Sequence, residues 1–539
     1  MVVIREDKSA IERRFSPGSV ERWIRFSKII GYSIEIGDEI RIELNPDRPD
    51  LFSFETLDAA SRIYFEGEQF REIKFRKIEK PVIIKESALK LRRDFAAFTA
   101  EGTVLGDHFK SLIDFQEKIH DTIGKQRKKV SIGLHDMKKI VFPIRYEALP
   151  AKDIRFTTFD GISGSAYDIL EKHPKGIEFS SLLPGKEEVP FILDSEEGVL
   201  SMPPVVNGNK SIVSEETERL LVDITGTDKP AVKAAFYMLS NFLSVCGFQI
   251  GKPKIEYDGK SWYGIEDKSH RINVSRKGIR NYLGIDLLPK ECRYQMKRMG
   301  ILTGSTEYPF QVNVPGYRID IMGEVDVIED IAKAIGYSNI AESTIAVSSS
   351  GSENPVNSFA DTIREIFIGA GFQEIVTYVV TSGDVYDGIR PDPGYRIMNP
   401  KSLEFSFIRN SLYPGMLDFL RRNTNRSFPQ RIFEVGNVIS GYTQTMKACI
   451  MIIDSHAGYS EIKSNIDAIL LRLTSQKCTV VPEKIDAAID GRSGKILVNS
   501  ENIGIVGEIH PEILRKFSLP LPVVFAEFDL SILSKLSGH

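Results

Sequence analysis

VPGYRIDIMGEVDVIEDIAKAIGY, residues 314–337, runs from a strand end through a turn into one amphipathic helix, and it holds the densest chemistry in the chain. Spacing predicts the helix over about Glu324 to Ile335, with Val325, Ile328, Ala332 and Ile335 as its apolar stripe. Asp326, Glu329 and Asp330 stand at i, i+3 and i+4 and share the other face. Asp320, in the turn before the helix, brings the set to four carboxylates within eleven residues. A hard divalent cation such as Mg²⁺ seeks such oxygens. The plain alternative is an acidic helix start favoured by the helix dipole. Against it, Asp326 and Asp330 repel across one turn unless something neutralises them.

Working outward, the strand-like RINVS (271–275), two short helices (Lys277–Leu283 and Pro289–Met299) and a hairpin ending in QVNVP precede that helix. The order predicts a winged helix-turn-helix over 268–345. Upstream, residues 1–80 alternate strand-like VVI, an amphipathic segment at Val20–Ile30 and β-type IRIEL, which gives an α/β domain. The charged alternation FREIKFRKIEK (70–80) ends at Pro81, where we expect a boundary. Residues 81–255 mix strands with helices at Phe109–Ile119 and 231–247, an α+β pattern. Downstream, SSSGSEN (348–354) reads as a linker, and 355–539 as a further domain of helix, strand, helix and several strands.

At 539 residues the chain is too long for one domain. Lys plus Arg (70) nearly balance Asp plus Glu (74), so any RNA contact must be local. The spacings of Cys246, Cys292, Cys449 and Cys478 fit neither a zinc pair nor a disulfide framework, which points to reduced thiols. The most apolar stretch, Ala234–Phe248, is too short and polar to span a bilayer and predicts a buried helix. Charges at Arg5, Glu6, Asp7 and Lys8 break any signal-peptide core, so the expected location is the cytoplasm with no membrane association.

The eight histidines show no HxxxH spacing, and no GxGxxG or Walker A loop is present. Gly504 and Gly507 suggest a tight strand-to-helix packing turn. Lys125–Lys129 (KQRKK) and Arg421–Arg431 (RRNTNRSFPQR) are the best local candidates for phosphate contacts.

Beyond these features, ELNPDRPDLFSFE (43–55), HPKG (173–176), LSMPPVVNG (200–208), DITGTD (223–228), the 314–337 segment and NSLYPGMLDFLRRN (410–423) occur in an order that resembles the β-subunit family of phenylalanine–tRNA ligase. The chain stops soon after AEFDL (526–530), so it is similar to the shorter archaeal and eukaryotic form, and no anticodon-binding module of the bacterial form is carried over. The resemblance implies an α+β multidomain fold: an editing-type domain that hydrolyses mischarged tRNA at 81–255, the winged-helix-like module, and a class II synthetase-like antiparallel-sheet core at 355–539. It assigns Mg²⁺ to Asp320, Asp326, Glu329 and Asp330. It also implies an α-subunit partner in a complex of two α and two β chains, which uses ATP to join phenylalanine to tRNA(Phe), with aminoacylation on α.

Adenylate formation in a class II core needs an arginine at each end of the phosphates. The strand matching the first motif reads Arg431-Ile432-Phe433-Glu434, and a separation of three puts those groups on opposite faces of a strand. Five residues beyond Gly504 stands Ile509, where the second arginine belongs. Both clamps are therefore expected to be missing.

Tyrosine differs from phenylalanine by one hydroxyl, which an apolar pocket rejects only about 10²-fold, so a second sieve is useful. Its first expected wall is Leu200–Gly208, with Ser201, Asn207 and the Gly208 amide as donors. His173, Asp223, Thr225 and Asp228 come next, each also readable as a turn or capping residue. The competing function is a non-catalytic RNA-binding scaffold with a decayed editing site.

Overall fold

The structure is a computed structural model that describes residues 2–68, 72–265, 270–342, 344, 350–386, 389 and 394–537. Residues 70–71 of the charged run, 268–269 and 345 of the expected module and 348–349 of the expected linker lie outside the described residues. The fold mixes α and β elements in two compact units, 1–344 and 345–539.

In the first unit, Val2–Asp7, Glu39–Leu44 and Ser33–Ile36 make a three-stranded sheet. Ile40, Ile42 and Leu44 alternate inward on the middle strand. Among the described residues, ten strands form a larger sheet. Arg76–Ile84 is central, parallel to Gln249–Tyr257 on one side and Ile144–Pro150 on the other. This corrects the reading of Pro81 as a stop. The register shifts between Pro253 and Lys254, so that Ile78 and Pro81 face successive partner residues, and the strand continues through the proline at that irregularity. The boundary expected at 81 thus falls inside one strand.

From Gln249–Tyr257 the sheet continues through Asp94–Glu101 and Arg219–Gly226 to Val130–Asp136. From Ile144–Pro150 it continues through Glu188–Leu193 and Val199–Met202 to Val206–Asn207. Lys229–Val245 packs on this sheet. Asp228 Oδ1 caps it by accepting from the Ala231 amide at 3.0 Å, and Pro230 sits in its first turn, where a missing N–H costs nothing. Phe236 is fully buried, stacked on Phe75 and edge-on to Phe98.

The 270–339 segment has the expected elements: His270–Val274, Arg276–Leu283, Pro289–Arg298, the pair Leu302–Thr303 and Phe310–Val314, and helix Glu324–Ile335. Its apolar face differs from the sequence reading. Val327, Ile328, Ile331, Ala332 and Ala334 are buried, whereas Val325 is 46% exposed. Asp330 is also buried, so it leaves the solvated face that Glu329 keeps.

In the second unit, helix Pro355–Gly369 starts at Asn354, whose side chain accepts from the Val356 amide. Among the described residues, its main sheet has seven strands in the order Gln373–Glu374, Gln430–Ser440, Thr443–Ile453, Val523–Asp529, Glu501–Ile509, Ala488–Val498 and Thr479–Pro482. Only the first pair is parallel. Gly441 and Tyr442, both at positive φ, close the long hairpin Gln430–Ile453, as a twist-matched two-residue turn requires. Gly504 and Gly507 lie within a strand, which corrects the turn reading. A Cβ on Gly504 would stand 2.1 Å from the Glu527 carbonyl oxygen, so the glycine permits close strand approach.

Candidate functional site

A cavity of about 330 Å³ lies in the first unit. Ser131–Leu134, on one terminal strand of the large sheet, and Val206–Asn207, on the other, both border it, so the sheet curls until its ends face each other. Phe109, Ile113 and Gln116 contribute from helix His108–Asp121. Arg127 ties the two ends together: Nη1 donates to the carbonyls of Pro204 (3.4 Å) and Val205 (3.1 Å), and Nη2 donates to Glu117 (3.1 Å).

Ser201, Asn207, Gly208 and Asp223 all line this cavity, although Asp223 is far from the others in sequence. Ser201 is 2% exposed, and its Oγ has no hydrogen-bond partner among the described residues. An orphaned buried hydroxyl costs about 1–3 kcal/mol, so it marks a place where a ligand or water is expected to bind. Asp223 Oδ2 accepts from His135 Nε2 at 2.7 Å, and His135 Nδ1 meets Ser211 Oγ at 2.8 Å. Gly208 offers less than expected, because its amide already donates to the Leu200 carbonyl at 2.8 Å.

The remaining expected residues take structural roles. His173 Nε2 is held by Asp160 at 3.0 Å, and its Nδ1 accepts from the Lys175 amide to start helix Pro174–Phe179, so it does not border the cavity. Thr225 receives Arg92 on both its hydroxyl (3.3 Å) and its carbonyl (2.9 Å). Asp228 is a helix cap paired with Lys129 at 2.6 Å.

Sequence reasoning missed the charged rim. Burial would raise the Glu117 carboxyl, but the His120 hydrogen bond and the charges of His120, Arg127 and Lys175 bring it down to about 2. Burial lowers His120, which Glu117 only partly offsets, and its Nε2 accepts from the Ile132 amide at 2.9 Å. Burial, followed by repulsion from Arg127, lowers the Lys175 ammonium at the cavity wall. Within KQRKK, Arg127 is buried and internally paired and Lys129 is held by Asp228, whereas Lys125 and Lys128 are exposed. In the second basic run, Arg421 and Arg422 pair with Asp418, and Arg431 with Glu461.

Asp320, Asp326, Glu329 and Asp330 border a second cavity of about 570 Å³. Each carboxylate already has at least one oxygen engaged. Arg318 Nη2 bridges Asp320 (2.7 Å) and Asp330 (2.6 Å). Asp326 Oδ2 accepts from the Met322 and Gly323 amides, both at 2.8 Å, which caps the helix. Glu329 pairs with Lys333 at 3.0 Å. Burial opposes charge on Arg318 but loses to Asp330 and Asp320, which hold it well above its ordinary value. Asp320 is correspondingly lowered against its own burial, mainly by Arg318. Among the described residues no group of three or more His, Cys, Asp or Glu side chains is arranged to hold a metal ion. As placed, Asp320 and Asp330 share Arg318, while Asp326 is held by backbone amides and Glu329 by Lys333.

In the second unit, Arg431 donates to Glu461 (2.9 Å) and Asn465 (2.7 Å) on one face of the sheet, while Glu434 is buried on the other. Phe433 and Ile432 enter different apolar clusters, which fixes the alternation. Arg409 stands in no pattern that sequence reading singles out. Its Nη1 donates to Glu434 at 2.6 Å and Thr377 Oγ1 at 2.7 Å, and its Nε to the Asn437 carbonyl at 2.8 Å. This arginine is committed to the protein itself. Residues 509–510 place Ile509 in the core and His510 as the cap of Pro511–Lys516.

Comparison with known proteins adds lineage to this geometry. The family model described as phenylalanyl tRNA synthetase beta chain CLM domain matches residues 340–530, and the tRNA synthetase B5 domain matches 272–337. The chain is 39% identical to the phenylalanine–tRNA ligase beta subunit of Thermoplasma volcanium, covering 100% of both chains. It is 40% identical to that of Thermoplasma acidophilum, over 98% of each. Among solved structures, an N-terminal fragment of the phenylalanyl-tRNA synthetase beta subunit from Pyrococcus horikoshii superposes with a TM-score of 0.57 at 26% identity. It covers 62% of this chain and 100% of the fragment.

Proposed function

The chain belongs to the phenylalanine–tRNA ligase beta-subunit family, and from that membership we propose that its 330 Å³ cavity is an editing pocket that hydrolyses tyrosine wrongly attached to tRNA(Phe). The observation that carries this reading is the unpartnered, buried Ser201 hydroxyl in the same cavity as Asn207 and Asp223. Phe109, Ile113, Leu134 and Met202 supply an apolar surround for a ring. A site that offers hydrogen bonds to a hydroxyl discriminates against the analogue lacking it, because its own polar groups are then left unpaired. Such a pocket takes tyrosine and leaves phenylalanine.

Aminoacylation belongs, in this reading, to an α subunit that joins phenylalanine to tRNA(Phe) with ATP in a complex of two α and two β chains. Supporting it, Arg431 and Glu434 face opposite sides of the second unit's sheet, and Arg409 is spent on Glu434. The 355–539 region then acts as a class II-like scaffold. Mg²⁺ at Asp320, Asp326, Glu329 and Asp330 is supported by their shared cavity alone, and binding requires Asp320 to exchange Arg318 for the ion. Equilibrium dialysis should then show one ion per chain in the parent and none in D326N/E329Q. Among the described residues no helix is long and apolar enough to cross a membrane.

The decisive experiment uses the assembled complex and preformed Tyr-tRNA(Phe). Ser201→Ala, Asn207→Ala and Asp223→Ala should each slow tyrosine release at least about tenfold, the equivalent of one lost hydrogen bond at about 1.4 kcal/mol, while phenylalanine charging persists. Parental rates in all three variants would move the site elsewhere and favour the scaffold alternative with a decayed editing pocket.

A further inference from the structure

We propose that Ser211, His135 and Asp223 form a proton relay serving ester hydrolysis in this cavity, with Ser211 as the group that touches the attacking water. The inference rests on the editing reading and adds its chemistry.

The Asp223 carboxylate has only acceptor oxygens, so the 2.7 Å contact places a hydrogen on His135 Nε2. The relay uses the tautomer whose Nδ1 carries the lone pair, in which the 2.8 Å contact there is the Ser211 hydroxyl donating. Ser211 keeps its own lone pairs for a further donor. His135 is fully buried, Ser211 is 1% exposed and Asp223 is 2% exposed, and only the serine and the aspartate border the cavity. The chain therefore has a buried middle and an end that opens on the site.

The sheet is built to allow this contact. Gly133 pairs with Asp223 across neighbouring strands, two residues before His135 and so on its face. A Cβ at Gly133 would stand 2.0 Å from Asp223 Oδ2 and 2.8 Å from His135 Nε2, so the histidine reaches the carboxylate only across a glycine. Ser211 arrives from the segment after Gly208, held where the Asp136 amide donates to the Ser211 carbonyl at 3.0 Å. Three separate stretches of chain meet at one imidazole, and one end of the set is a hydroxyl facing a cavity.

The step balances with water as the only co-reactant. The water oxygen bonds to the carbonyl carbon of the tyrosyl ester while its proton passes to Ser211 Oγ and the serine's own proton passes to His135 Nδ1. Asp223 holds the resulting imidazolium in place. The bond from the carbonyl carbon to the ribose oxygen then breaks, and the proton returns through Ser211 to that oxygen. The products are free tyrosine and tRNA with its hydroxyl restored. Ser201 and Asn207 recognise the side chain in this scheme, and His135 is a positioning residue that also carries the proton.

The test measures single-turnover and steady-state deacylation of Tyr-tRNA(Phe) by the assembled complex. Ser211→Ala should lower kcat by about 10² or more with KM unchanged, as loss of general-base assistance does. His135→Gln should do the same, and the double variant should be no slower than the slower single, because members of one relay fail as a unit. Asp223→Asn, which favours the tautomer with hydrogen on Nδ1, gives an independent loss should Ser211→Ala lower the thermal midpoint. A parent complex that leaves Tyr-tRNA intact overturns both the editing reading and the relay. A parent that hydrolyses it while Ser211→Ala keeps the parental kcat, or single effects that multiply in the double variant, overturns the relay alone.

Discussion

At Gly133 the absence of a side chain is what the site needs. Adding one methyl there puts a carbon 2.0 Å from Asp223 Oδ2 and 2.8 Å from His135 Nε2, and the pairing of Gly133 with Asp223 on the neighbouring strand fixes that approach. Gly133→Ala is expected to cost about 1–3 kcal/mol by overpacking and to break the His135–Asp223 contact, measurable by denaturant unfolding and by loss of deacylation. Arg318 poses the opposite problem, a charge whose removal strands its partners. It is 3% exposed and serves both Asp320 and Asp330, so Arg318→Gln leaves the buried Asp330 uncompensated and is expected to cost about 3–5 kcal/mol. A loss under about 1 kcal/mol in the same denaturation, run with EDTA, would show that these carboxylates do not depend on the arginine.

Two helices carry the cavity's frame. Lys229–Val245 is apolar almost all round because it is sandwiched rather than surface-borne, and Phe236 on it is fully enclosed. Phe236→Ala is expected to cost about 3–5 kcal/mol in urea unfolding of the first unit, since the rings of Phe75 and Phe98 cannot both collapse into the gap. On His108–Asp121, Glu117 and His120 set an acid sensitivity. Glu117 is lowered from 4.5 to about 2 on folding, so its stabilisation is present above about pH 4.5 and is lost as pH falls towards 2. His120 is also lowered, so the unfolded chain takes up its proton first and stability falls as pH drops below the ordinary histidine range. Both effects have one sign. Thermal melts should show the gap between the parent and Glu117→Gln shrinking steadily from pH 5 to pH 2.5; a gap that grows on acidification would reverse the assignment.

At the scale of the whole chain, the two compact units predict separable folding. Residues 1–344, expressed alone, should be monomeric and unfold in one cooperative transition, in keeping with the likeness to a solved N-terminal fragment of a related beta subunit. A broad, non-cooperative melt with dye-binding apolar surface would contradict that. The full chain without its α partner should show no phenylalanine-dependent ATP–pyrophosphate exchange, because neither Arg431 nor Arg409 is free to meet a phosphate. Exchange by the isolated chain would end the scaffold reading of the second unit.

Periodicity decided much by itself: the bounds of Glu324–Ile335, the buried helix around 231–247, and the opposite faces of Arg431 and Glu434. Those features follow from 3.6- and 2-residue repeats, which are local. Local rules also misled. Pro81 reads as a stop, yet a register shift in the partner strand lets the chain run on. The acidic cluster reads as four unpaired carboxylates, yet Arg318, itself inside the quoted stretch, turns inward between two of them. Ser201, Asn207 and Asp223 were nameable from sequence, but their meeting in one cavity was not, nor was the part played by His135, Ser211 and Gly133. That convergence depends on a ten-stranded sheet curling until its two terminal strands face one space, a consequence of twist summed over the whole sheet that no window of sequence contains.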